Sequence, residues 1–230
     1  MVGNPGEAEL KPYKPPFASF ISADSPIEVL GKITFSTADG FAFNATGLEQ
    51  PLWDAQLGRF LVPVQGETEG LLAVIRVDKS ARKFTVEKTY RTPNCNGSGL
   101  ALGPSHNLLV GCDDGHPLLI MNPSNGNVTK TLPQVHGSDE VWYNPGDRHF
   151  YAASAGAPTP TLGVIDASTN EFVRNLPSGP GAHSVAAFAK TNSVFVPIGA
   201  PNPRVTTNAC VTLGLPASNG CVAVYAPDSQ

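Results

Sequence analysis

Four short runs decide how this chain folds: Arg59-Phe60-Leu61-Val62, Asn107-Leu108-Leu109-Val110, His149-Phe150-Tyr151-Ala152 and Ser193-Val194-Phe195-Val196. They begin 48, 42 and 44 residues apart, each among other runs of four to seven residues rich in Val, Leu, Ile and Phe and bounded by turn residues. A period of that size, built only from short strands, is the signature of blades arranged about an axis. No 3.6-residue apolar stripe extends beyond two turns, so helix is expected almost nowhere. The spacing predicts an all-β chain, a β-propeller of four-stranded antiparallel blades.

The second repeat can be read strand by strand as Asn96–Leu102, Asn107–Cys112, Pro117–Met121 and Asn127–Leu132, with Pro123-Ser124-Asn125-Gly126 turning between the last two. The third repeat follows the same order, its last turn being Ala167-Ser168-Thr169-Asn170. Blades are expected over 47–93, 95–133, 136–177 and 181–227, the last with a Pro-, Thr- and Asn-rich insertion at 199–219. Residues 1–16, polar and Pro-rich, are expected to form a flexible arm. Residues 17–36 resemble the third and fourth strands of a partial blade. Ile27–Ile33 could alternatively supply the missing outer strand of the last repeat and close a ring. Two architectures follow: a compact ring of about four blades plus a partial one, or the C-terminal arc of a larger propeller. A closed ring would be monomeric, and an open arc would expose strand edges and self-associate.

Composition narrows the partners. Of 230 residues, 41% are hydrophobic and 15% charged, enough apolar material for a core and too little charge for a disordered chain. The 23 Gly and 22 Pro are spread along the chain, as many tight turns require. The net charge is −4, with no basic cluster, which argues against a nucleic-acid partner. No run approaches the ~20 apolar residues of a membrane span, and the N-terminus has no signal-peptide core. The partner is therefore expected to be a small molecule or a protein. Cys95, Cys112, Cys210 and Cys221 lack metal-site spacing. They read either as two local disulfides, Cys95 with Cys112 and Cys210 with Cys221, or as four buried thiols. Disulfides would place the chain in an oxidising compartment.

The apolar run, acidic residue and turn of Gly163-Val164-Ile165-Asp166-Ala167-Ser168-Thr169-Asn170 resemble the YVTN-type repeats of bacterial YncE-like propellers. So do the strand openings Gly47-Leu48-Glu49-Gln50-Pro51-Leu52-Trp53-Asp54 and Gly181-Ala182-His183-Ser184-Val185-Ala186. The resemblance covers roughly residues 17–227 and implies the fold and an exported, secreted or periplasmic location. It implies no particular activity, because the family is defined by a structural repeat. Complete members carry about seven blades, more than this chain holds.

In a propeller the innermost strands line a channel, and the loops entering them gather one residue per blade at its mouth. Aligned on the four opening runs, Glu49, Gln50, Asn96, Ser98, His136, Ser138, Asp139, Glu140, His183 and Ser184 occupy those entrances. Glu49, Asp139, Glu140 and His183 offer ligands for a divalent metal such as calcium, or an acid–base pair. The alternative is that these residues hydrate the mouth or tie blades together. His106, His116 and His149 read as solvated turn or edge residues. Trp53, Trp142, Tyr143 and Phe188 read as inter-blade packing. No nucleophile elbow, Walker loop or H-E-x-x-H motif is present. The leading expectation is a binding or interaction propeller. The alternative is a metal-assisted, lactonase-like hydrolase or lyase at the channel mouth.

Overall fold

Turn chemistry spaces the strands. In a computed structural model, which describes residues 2–4, 14–112, 115–155, 159–200, 210, 214 and 220–227, the residue just before each of the four opening runs has a left-handed backbone. These residues are Gly58 (φ 64°), His106 (56°), Arg148 (61°) and Asn192 (53°). Three of them carry side chains in a region that ordinarily favours glycine, so the turns around them must hold the conformation. They do so with short side chains that accept backbone bonds: Asp54 Oδ1 accepts from the N–H groups of Gln56 and Leu57, both at 3.0 Å. Asn144 Oδ1 accepts from Gly146 at 3.2 Å.

The chain forms two units, Met1–Ser98 with Ser124–Asn127, and Gly99–Pro123 with Val128–Gln230. In the first, β1 (Val2–Asn4), β2 (Phe17–Ile21) and β3 (Val29–Thr34) form an antiparallel sheet in that order. Val2 lies opposite Ser19, and Ala18 opposite Ile33. Part of the expected arm is thus a strand, while residues 5–13 lie outside the described residues. Residues 29–34 complete this sheet rather than the last repeat. A 3-10 turn follows at Thr37–Asp39.

The next sheet contains β4 (Gly47–Leu48), β5 (Leu52–Asp54), β6 (Arg59–Gln65), β7 (Gly70–Asp78) and β8 (Lys83–Thr92), ordered β4-β6-β7-β8 with β5 also on β6. Its inner strand is split at Glu49-Gln50-Pro51, because Pro51 has no N–H to offer the ladder. Phe20 stacks on Phe84 (centroids 4.0 Å apart) over buried Leu48, Val62 and Ile75. Gly31 permits this contact, since a Cβ there would sit 2.4 Å from the Phe84 ring.

The second unit holds β9 (Gly97–Leu102, its first two residues in the first unit), β10 (Leu108–Cys112), β11 (Pro117–Met121) and β12 (Val128–His136), ordered β12-β11-β10-β9. Next come β13 (Ser138–Asn144), β14 (His149–Ser154), β15 (Thr161–Asp166) and β16 (Glu171–Pro177), in chain order, and then β17 (Ala186–Phe188), β18 (Ser193–Ile198) and β19 (Cys221–Tyr225). Strand β18 has Val194, Val196 and Ile198 buried and Phe195 36% exposed, the alternation of a pleated strand.

Leu109, Leu132, Val135, Phe150 and Ile165 make one core, and Tyr151, Leu162, Val164, Val194 and Val196 another. Asparagines clamp the sheets together. Asn107 Nδ2 donates to the Ala167 carbonyl at 3.0 Å, and Asn144 Nδ2 to Asn192 Oδ1 at 3.2 Å.

The cysteines are oxidised. Cys210 and Cys221 are bonded to each other, Cys95 and Cys112 are also in disulfide linkage, and no cysteine is free. The free-thiol alternative is thereby removed. No described helix is long and apolar enough to cross a membrane. The insertion expected at 199–219 is described only at 199, 200, 210 and 214. Trp142 and Phe188, expected at blade interfaces, are 43% and 51% exposed, and Tyr143 lies opposite Phe150 within its own sheet (5.5 Å) while packing on the core that includes Leu132 and Val135. Trp53, 49% exposed, leans on Phe60 at 4.9 Å. A polar-to-apolar count along the chain cannot tell which face of a strand a neighbouring sheet will cover.

Replacing Cys210 and Cys221 with Ser opens a loop of 11 residues. It should cost about 2–3 kcal/mol, read as a lower denaturant midpoint that reducing agent reproduces for this bridge. A second expectation concerns Tyr151, whose phenol is raised well above its ordinary range by burial and by its hydrogen bond to Asp147. A raised folded-state pKa stabilises fully below the unfolded value of about 10, and the stabilisation fades as pH rises past it. Stability should therefore fall above about pH 10, less steeply in Tyr151→Phe, when unfolding is followed against pH.

Candidate functional site

The strand entrances divide between the two units. In the first, Glu49 and Gln50 occupy the break between β4 and β5, where the Glu49 N–H donates to the Pro63 carbonyl at 3.2 Å. Asn96 is spent on architecture: its Oδ1 accepts from the Gly66 N–H and its Nδ2 donates to the Gly66 carbonyl, both at 3.1 Å. That reciprocal pair fixes the β6–β7 connection. Ser98 is fully buried, and its hydroxyl has no hydrogen-bond partner among the described residues.

In the second unit, His136 ends β12 instead of standing free in a connection. Its Nδ1 lies 3.3 Å from the Gly115 carbonyl and its Nε2 2.5 Å from that of Pro133, so the ring is turned onto its own sheet. The Ser154 hydroxyl donates to the His136 carbonyl.

The remaining entrance residues meet at a β-bulge. Ser138 pairs with Ser154 and Val141 with Ala152, so Asp139 and Glu140 together oppose a single residue. A bulge frees backbone groups from the ladder and re-aims side chains. Here the freed Glu140 N–H donates to the His183 carbonyl at 3.0 Å. Asp139 Oδ2 comes within 3.1 Å of His183 Nδ1. The Ser184 hydroxyl is 3.5 Å from the same nitrogen, and the Ser138 hydroxyl donates to the Glu140 carbonyl at 3.3 Å.

Two glycines seat the bulge. A Cβ on Gly99 would fall 2.6 Å from the Asp139 carbonyl and 2.7 Å from the Val141 nitrogen. One on Gly111 would fall 2.8 Å from the carbonyls of both Ser138 and Asp139. Neither contact can be relieved by turning a side chain, because the obstructing atoms are backbone.

The arrangement can hold and move a proton. A carboxylate on one imidazole nitrogen orients the ring, which leaves Nε2 for a solute. The His183 side chain is 58% exposed and that of Asp139 31%, so the pair is open to solvent. Of the four residues expected as metal ligands, Asp139, Glu140 and His183 stand in this cluster, while Glu49 belongs to the first unit. Among the described residues, no three His, Cys, Asp or Glu side chains gather as a metal site. The donor set therefore does not fit a calcium centre as described, and no step is derived through a metal.

One set escaped the sequence reading. His149, expected to be solvated, is 29% exposed in its side chain, with a buried Nδ1 3.6 Å from Asp147 Oδ1. The signal was present in Asp147, His149 and Tyr151, which alternate onto one face of β14 and the turn before it.

No protein-family model matches the chain, and no curated protein matches it in sequence. In structure, 352 chains of solved proteins match, as befits a widely reused scaffold. Hydrazine synthase of Kuenenia stuttgartiensis is similar at 15% identity and TM-score 0.51 over 61% of this chain and 39% of its own. A provisionally assigned 6-phosphogluconolactonase from Bacteroides fragilis is similar at 10% identity and TM-score 0.62, covering 79% and 57%. A luciferin-regenerating enzyme is similar at 14% identity and TM-score 0.57, covering 98% and 77%. The chain thus spans well under two thirds of the first two proteins. At these identities the likeness defines a fold: all-β, of the β-propeller type, made of antiparallel blades.

Gly99→Ala should destabilise the protein by about 1–3 kcal/mol and push Asp139 away from His183. NMR titration would follow the second effect as a change in the His183 ring signals, with Gly58→Ala as a control at an open left-handed position.

Proposed function

We propose that this chain is a YVTN/YncE-like binding propeller of an oxidising, extracytoplasmic compartment, with blades 47–93, 95–133, 136–177 and 181–227. It takes a small hydroxyl-rich ligand at the entrances of β13 and β17. The observation that carries this reading is the exposed Asp139–His183 pair, set by a bulge and flanked by Glu140 and Ser184. Carboxylates accept, while imidazole and hydroxyl both donate and accept, and hydroxyl groups on a ligand complement such a mixture. The oxidised cysteines support the compartment. Glu49, Gln50, Asn96, Ser98 and His136 enter as supporting residues of the openings, Asn96 and His136 through backbone contacts.

The same pair favours a second reading. His183, positioned by Asp139, has the parts of a general base that would draw a proton from water attacking a lactone carbonyl and open the ring to a hydroxy acid. One solved neighbour carries a lactonase assignment, which adds to this reading by fold analogy.

Galactono-1,4-lactone separates the two. The binding reading expects the lactone to raise the melting temperature of the wild type, with no such rise in His183→Ala and no hydrolysis above buffer in a pH-stat. Hydrolysis that His183→Ala abolishes would replace binding with catalysis. Neither stabilisation nor turnover would remove both.

A further inference from the structure

A cavity of about 210 Å³ opens between the β13–β16 and β17–β19 sheets of the second unit. It lies at the β13–β14 turn, at the far end of β13 from Asp139. On the opposite face of the β13–β16 sheet, Phe150 and Phe172 fill the core against Leu132 and Val135. On the cavity side, Val164 and Leu176 face Val194 and Tyr225 without filling the space.

Its polar wall is organised. The Tyr151 hydroxyl donates to Asp147 Oδ2 at 2.6 Å, and the His149 backbone N–H donates to Oδ1 at 3.1 Å, so both carboxylate oxygens are engaged. His149 Nδ1, too far from that carboxylate for a hydrogen bond, is buried and unpartnered among the described residues. Arg174 lines the same space and forms no hydrogen bond or ion pair through its side chain among the described residues, although its charge acts on Tyr151. An unpaired guanidinium, an orphaned imidazole nitrogen and an apolar slot share one small volume.

We propose that this cavity is a binding site for a small aromatic carboxylate, separate from the Asp139–His183 entrance and independent of its function. An apolar cavity of ~150 Å³ holds a benzene ring, so this one has room for a ring and a carboxylate. The ring lies among Val164, Leu176, Val194 and Tyr225. The carboxylate takes the Arg174 fork, the strongest geometry available for such a group, and accepts from His149 when Nδ1 carries the proton. Asp147 keeps its charge while its oxygens accept from Tyr151 and His149, and the opposite charge of Arg174, which acts on the same Tyr151, offsets it.

Benzoate is the probe, with benzyl alcohol as its uncharged counterpart, each titrated by calorimetry and two-dimensional NMR. Wild type should bind benzoate saturably, with shifts centred on Tyr151 and Val194. Arg174→Gln, an exposed substitution, should weaken benzoate about tenfold, as loss of a charge-assisted bond does, and leave benzyl alcohol within about twofold. Val173→Trp fills the space from a half-exposed position and should abolish both while the melting temperature stays unchanged. The proposal is overturned if wild type does not saturate with benzoate, if Arg174→Gln affects both ligands equally or neither, or if Val173→Trp still binds them.

Discussion

The backbone of β13 presses directly onto Gly99 and Gly111, with no side chain between, and the second unit is organised around that contact. Residues 138–141 can come so close only because two strands of the preceding sheet present hydrogen instead of a Cβ. The closeness in turn sets the bulge at Asp139 and Glu140. From the bulge follow the free N–H that reaches the His183 carbonyl and the carboxylate that reaches its ring. Three successive sheets are thus coupled through main-chain atoms, which are stiffer than side chains. A contact of this kind with both partners partly exposed contributes little energy by itself. Its value here is positional.

The two ends of the strands carry different kinds of chemistry. At the entrances, much of the polarity is structural: Asn96 pairs with the Gly66 backbone and His136 faces carbonyls of its own sheet, while the cluster around His183 stays open. At the turn ends, polar side chains serve first to close turns, as Asp54 and Asn144 do, and to clamp neighbouring sheets, as Asn107 does. The cavity beside Tyr151 is where that structural duty leaves an imidazole nitrogen and a guanidinium over. A scaffold shared with proteins of 10–15% identity does not choose among activities.

How much could be read in advance depended on the range of the interaction concerned. The strand period and the turns at 123–126 and 167–170 were legible, and oxidised cysteines stood as one of two alternatives, because each rests on residues close in the chain. In the last repeat only Ala186–Phe188 of the inner strand pairs, and the His183 carbonyl ahead of it accepts from the Glu140 N–H of another sheet. Ile27–Ile33 had the composition of an outer strand for either end of the chain, and its partner Phe17–Ile21 was settled by register.

Alternation and turn residues are local properties of a polypeptide, so the order of letters suffices to establish that this chain is made of short antiparallel strands in repeats of about 42 to 48 residues. Which face of each strand meets a neighbour is a long-range property. It took the folded molecule to expose Trp142 and Phe188, bury the Nδ1 atom of His149, engage Asn96 and bring Asp139 to His183. The physical reason is that a pleat has two sides of similar composition here, and steric closeness between sheets, governed by where glycines fall, selects which polar groups meet and which are left over.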